Sequence, residues 1–450
     1  PAVPFGSLRQ VRVGGMNIGV MEVLLALMLA AWLMRMIARR REIRVNLPPL
    51  TLPLAIFVGG LLLSLLGARS LLLSLKELLK WIEVLALYLL VSNETMALDA
   101  DTEQSGLGHH GWTLALIVIF VGTGALAALH GMYQFVFQVG PEGFVLFERF
   151  MRAHGTFEQP NPYGGYLGLT LPLAVGLVAA GVLRVAGRVK AWWWLWAAGC
   201  GSVMLIALVM TWSRGAWLGF AAAMAMMAVA VMARSAKLVR HGSPQAVLLV
   251  AVFVILVGYL LLAGGLARVP PAITQRFSDF VPYLGVLDVE GREVTDANFA
   301  VLERVAHWQA AWRMWTDHPW LGVGIGNYEA IYPQYALPLW PVALGHAHNY
   351  YLNIAAETGV VGLAAYLVLW GAALVSVWRA TQRASGWRWG AALGVLGVLV
   401  HLSTHNFFDN LYVHGMYLHV AILLGVTTGS SPAVVERKAG ECHRSIGGHR

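Results

Sequence analysis

Apolar runs long enough to cross a bilayer recur along this chain, at 17–37, 50–67, 71–92, 113–135, 163–183, 192–211, 216–233, 246–266, 360–378, 389–405 and 413–429. About 20 such residues span the hydrocarbon core as a helix, because the backbone has no water there and must satisfy its own hydrogen bonds. The pattern predicts an all-α, polytopic transmembrane helical bundle of roughly eleven spans. Composition agrees, with 12% charged residues where a soluble domain carries roughly 25%. The 18 Trp and 14 Tyr suit the two membrane interfaces, and Trp192, Trp193, Trp194, Trp387 and Trp389 fall near expected span ends.

Basic residues set the expected orientation. Arg35, Arg39, Arg40, Arg41, Arg44, Arg184, Arg188, Lys190, Arg234, Lys237, Arg240, Arg379, Arg383 and Arg388 all fall on one side of an alternating path. The positive-inside rule makes that side cytoplasmic. The acidic loop 93–112 shares that side and carries little weight in the rule. The net charge of +8 therefore reports loop composition, and nucleic acid is not an expected partner. Two cysteines, Cys200 and Cys442, define no disulfide framework. Residue 1 is Pro, so an upstream segment, and with it a further helix, is expected.

Four regions follow: transmembrane helices over 1–266, a long polar outer loop over 267–359, transmembrane helices over 360–429, and a basic inner tail over 430–450. The loop closes on Gly345-His-Ala-His-Asn-Tyr-Tyr-Leu-Asn-Ile-Ala-Ala-Glu-Thr-Gly359. Histidine titrates near neutral pH, so His346 and His348 are placed to move a proton where water meets lipid. A helix starting near Ala347 would put His348 on one face with Leu352, Ala355 and Gly359. Its dipole would keep the ring neutral, the form a base requires. A structural histidine is the plainer reading. His-x-His can also bind a metal, but no carboxylate cluster lies nearby in sequence.

Other outer residues could contact a ligand. In Thr211-Trp212-Ser213-Arg214-Gly215, the arginine sits between two apolar runs, where charge is costly and usually partnered or functional. Its planar fork matches phosphate oxygens, although snorkelling would also explain it. Arg304 edges an apolar stripe of Val301, Val305, Trp308, Trp312 and Trp315, from where it could reach a headgroup. Arg152 and His154 lie in a stiff Pro-containing loop before the fifth span, and Lys76 and Lys80 lie in the third span with Glu77 and Glu83 beside them. His401, His405 and Asp409 bracket the outer end of the tenth span. Gly322-Val-Gly-Ile-Gly326 follows no strand and reads as a turn rather than a nucleotide loop.

In their order along the chain, Ser213-Arg214-Gly215, Arg304 ahead of Trp308, His318-Pro319 before Gly322-Val323-Gly324, and His348-Asn349 with Leu352, Glu357 and Gly359 resemble the O-antigen ligase and polymerase superfamily of bacterial envelopes. The likeness covers nearly the whole chain. It implies a type-C glycosyltransferase-like fold in the inner membrane, with the active site facing the periplasm. It implies a glycan donor on undecaprenyl pyrophosphate, a lipid A–core acceptor, contact with membrane lipids, and no metal or cofactor. His348 would be the base, with Arg214 and Arg304 on the pyrophosphate. His346, Asn349, Arg152, His154, Lys76 and Lys80 are candidate substrate contacts. Polymerase, protein O-oligosaccharyltransferase and transporter readings stay open at this stage.

Overall fold

A computed structural model describes residues 10–13, 16–38, 45–105, 111–146, 148–183, 191–239, 289, 291, 293–295 and 298–429. The expected span at 246–266, the segment 267–288 and the basic tail lie outside the described residues. The helices are α1 (Val20–Ala38), α2 (Thr51–Ser64), α3 (Leu71–Ser105), α4 (Gly111–Phe137), α5 (Pro160–Val182), α6 (Ala191–Met210), α7 (Arg214–Val239), α8 (Phe299–Asp317), α9 (Tyr328–Ile331), α10 (Tyr350–Arg383), α11 (Gly386–His405) and α12 (Met416–Gly429). Among the described residues, strands are confined to two short hairpins, Gln10–Val13 with Met16–Gly19 and Val145–Leu146 with Phe150–Met151. The chain is a multi-pass helical membrane protein.

Five described helices are by themselves long and apolar enough to cross a membrane: Thr113–Phe137, Pro160–Val182, Trp192–Met210, Arg214–Ser235 and Tyr350–Arg383. The rest of the bundle departs from that standard for visible reasons. The apolar part of α2, running on to Gly67, and α12 are shorter, and the first turns of α3 carry Lys76, Glu77, Lys80 and Glu83. Side chains such as Leu195, 73% exposed, face outward as lipid-facing residues do.

Contacts bring the loops 65–70, 138–159, 211–213, 318–349 and 406–415 together at one end of the bundle. α11 lies at the centre, packed chiefly on α5 and α7. Its contact with α5 needs glycine, since a Cβ on Gly176 would lie 2.1 Å from the Gly390 carbonyl oxygen. Small residues at such crossings let two backbones approach closely.

α10 is broken near its start. Gly359 has φ 62° and ψ −165°, and the backbone of Pro319 and Trp320 enters the gap. Val360 N–H donates to Pro319 O at 2.8 Å and Val361 N–H to Trp320 O at 3.3 Å. A Cβ on Gly359 would meet Trp320 backbone at 2.2 Å, and one on Gly322 would meet Glu357 backbone at 2.3 Å. The glycine-rich run thus docks the outer loop onto the helix break, and Val323 N–H donates to Ala356 O at 3.0 Å to fasten it.

Candidate functional site

Arg214 is the first residue of α7, reached by a tight link from α6. Ser213 N–H donates to Thr211 Oγ1 at 3.1 Å, the Trp217 indole donates to Leu208 O at 2.9 Å, and Trp212 adopts φ 52°. A guanidinium at the positive end of a helix dipole concentrates positive potential. Arg152 is held beside it: its Nε donates to Thr211 O and its Nη2 to Asn161 Oδ1, each at 2.9 Å. Arg304 comes from α8, where its Nη1 donates to Ala300 O at 2.8 Å.

These three arginines line one cavity of about 110 Å³, together with Ser213, Trp308, His405 and Asp409. Three arginines and one carboxylate are among the described lining residues, a balance suited to a polyanion. His405 forms part of the wall because it lies over Gly215, where a Cβ would stand 2.7 Å from its Cδ2.

Asp409 links this cavity to the histidines. The loop after α11 folds back on α10, with Tyr350 N–H donating to Asn406 O at 2.8 Å and Leu411 N–H to Asn406 Oδ1 at 3.1 Å. Asp409 Oδ1 then lies 3.6 Å from His346 Nε2 and 3.9 Å from His348 Nδ1. Burial alone would raise the Asp409 carboxyl, but the adjacent His348, His346 and His405 hold it below the usual carboxylate range.

The two histidines differ. His346 Nδ1 accepts the His348 backbone N–H at 3.0 Å, so a neutral His346 carries its proton on Nε2, facing Asp409. Burial lowers its pKa to about 4, with Asp409 partly opposing the shift. His348 has φ 51°, its carbonyl accepts from the Trp308 indole at 3.2 Å, and neither ring nitrogen has a hydrogen-bond partner. Ring nitrogens without a partner are open to a proton donor.

Several expectations change here. α10 begins at Tyr350, so His348 precedes the helix instead of sharing its face. Asn349 is the N-cap, its Oδ1 accepting from Tyr351 and Leu352 N–H. The apolar stripe of α8 is also rotated: Trp312 is 52% exposed, and Leu302, Ala306, Ala310, Ala311 and Met314 join Val301 and Val305 on the buried face. Small alanines let the loop core of Tyr328, Tyr332 and Val323 pack close, while tryptophan tolerates an exposed edge. The carboxylate missing near the His-x-His pair arrives from the far end of the chain. His346, His348 and Asp409 each offer a ligand atom within 4.8 Å of one another, a set that could hold a divalent cation.

The other candidates do not line the cavity. His154 is tied to Gln134, whose Oε1 accepts its backbone N–H at 3.1 Å, and burial lowers the pKa of its ring. Lys80 pairs with Glu77 at 2.6 Å, and Lys76 lies on the same helix. Sequence reasoning missed His307. It is 1% exposed, its Nδ1 lies 2.9 Å from the Tyr328 hydroxyl, its ring stacks on Tyr332 at 4.5 Å and meets His348 edge-on at 5.6 Å. Its spacing of three from Arg304 was the available signal.

No curated protein matches the chain. Residues 199–367, which hold Arg214, Arg304 and His348, match the family model described as O-antigen ligase. That match lies across the helices that build the arginine cavity and the histidine loop, and it supports membership of the O-antigen ligase superfamily.

Proposed function

We propose that the protein is a glycosyltransferase that moves an O-antigen glycan from undecaprenyl pyrophosphate to a sugar hydroxyl of lipid A–core, at the periplasmic face of a bacterial inner membrane. One observation carries this reading: arginines from three separate chain segments share a cavity with Asp409, whose carboxylate reaches the histidine pair.

The chemistry follows from that arrangement. The acceptor oxygen attacks the anomeric carbon, and its proton passes to His348. The bond from that carbon to the pyrophosphate oxygen breaks, and the charge stays on undecaprenyl pyrophosphate. Arg214, Arg304 and Arg152 stabilise this leaving group, as fixed cations aimed at the charge that develops on it. Asp409 stabilises the imidazolium that forms, and His346 holds the backbone of His348 in its left-handed turn. One displacement inverts the anomeric centre.

The deciding experiment uses the purified protein in proteoliposomes with an undecaprenyl-pyrophosphate glycan. Transfer to lipid A–core with inversion is expected. Transfer only to a second lipid-linked glycan would make it a polymerase, and product of retained configuration would exclude single displacement. The His346, His348 and Asp409 set supports a second, metal-assisted reading. Transfer that survives exhaustive chelation keeps His348 as the base, whereas loss restored by zinc favours the metal.

A further inference from the structure

At the other end of the bundle, the hairpin joining α10 and α11 frames a second cavity, of about 370 Å³. α10 is 34 residues long, and at about 1.5 Å per residue it carries Arg383 across the membrane from Tyr350. The cavity wall includes Arg379, Arg383 and Arg388, and no Asp or Glu among the described residues. Arg379 and Arg383 stand one turn apart on α10, and Arg388 lies in the first turn of α11. Ser385, the N-cap of α11, also lines the cavity and makes no side-chain capping bond. The first amides of that helix therefore add their own positive end to the site.

The hairpin is held in place. Arg234 Nη1 donates to Thr381 O at 2.9 Å and to Ala384 O at 2.8 Å, and its guanidinium lies 5.3 Å from the Trp389 ring centre. Trp387 is buried, and the Arg388 guanidinium lies 5.7 Å from its ring centre. The rest of the wall mixes apolar Ala391, Ala392 and Val426 with the hydroxyls of Ser376, Thr427 and Thr428. Arginines that merely snorkel would spread along the rim of the bundle. Here three of them share one cavity with apolar side chains, at the end of membrane helices. That combination matches a phosphodiester with acyl chains below it.

We propose that this cavity binds the phosphate of an anionic phospholipid in the leaflet opposite the transfer site. It stands apart from the donor-binding cavity and does not depend on the glycosyltransferase reading.

The test is capture of phosphatidylglycerol from mixed phosphatidylglycerol–phosphatidylcholine micelles by the full protein. Native mass spectrometry and thermal unfolding provide the readouts, with inorganic phosphate as a parallel arm. The wild-type protein should retain phosphatidylglycerol and be stabilised by it. The triple variant Arg379→Gln, Arg383→Gln, Arg388→Gln should bind it roughly a hundredfold more weakly. Should that variant not fold, Arg383→Gln alone is read, with a loss of roughly fivefold. The triple Lys variant keeps the charge and should retain most of the binding. Stabilisation by inorganic phosphate equal to that by the lipid would overturn the lipid assignment in favour of a soluble anion. Equal phosphatidylglycerol retention by wild type and the Gln variants would overturn the site altogether.

Discussion

Two arginine-lined cavities among the described residues are built differently, and on the readings proposed above the difference separates chemistry from anchoring. Arg152, Arg214 and Arg304 come from a loop, a helix start and an outer helix spread over the chain, and share their cavity with Asp409 and His405. Arg379, Arg383 and Arg388 come from one hairpin, with no described carboxylate in their cavity wall. A site that must match charge as it develops needs cations fixed from several directions and a proton acceptor close by. A site that holds a standing charge needs only local cations.

The comparison is broken most directly at His348. His348→Ala should lower glycan transfer by about 10²–10⁴-fold while the thermal midpoint stays near the wild-type value. Full transfer by that variant would leave the carboxylate–imidazole end without its assigned role. Arg214→Lys and Arg304→Lys come next, at roughly 10²-fold each in turnover, because a point charge does not reproduce a planar fork. Arg383→Gln, in the other cluster, should change transfer by no more than about twofold. A large loss there would erase the distinction between the two ends.

Stability sharpens the same contrast. Gly359→Ala places a Cβ against Trp320 backbone at 2.2 Å, at φ 62°. It should cost about 1–3 kcal/mol, read as a lower unfolding midpoint together with weakened transfer. The smallest effect is that of pH. Burial lowers His346 and His307 to about 4, with Asp409 opposing the shift at His346 and His348 reinforcing it at His307. The unfolded chain binds those protons near 6.5. Between these values the unfolded state holds more protons, so stability should rise with pH through about 4–6.5 and level off above. A flat unfolding midpoint across that window would show that the two rings are not held neutral.

Much of this was legible before any fold was known. Hydropathy and length fixed a polytopic helical bundle, because each span has to satisfy its own backbone within the membrane and so writes its signal locally. The unusual positions of Arg214, Arg304 and His348 were visible for a related reason: charge and imidazole stand out against apolar runs. The start of α10 falls later than the expected Ala347 because Asn349 caps it, its side chain accepting from Tyr351 and Leu352 N–H. The buried face of α8 differs from the tryptophan stripe because small alanines, not the larger rings, allow the close packing.

What the chain alone determined, then, was the set of helices and which polar groups stand at their ends. The tertiary structure decided which of those groups meet. Asp409 approaches His346 and His348 only because the loop after α11 bonds to the first amide of α10. Arg152 joins Arg214 only because its loop folds onto Thr211. Neither contact is written in local periodicity. Both depend on how helices distant in sequence pack, and packing is settled by shape across the whole bundle rather than by any one segment.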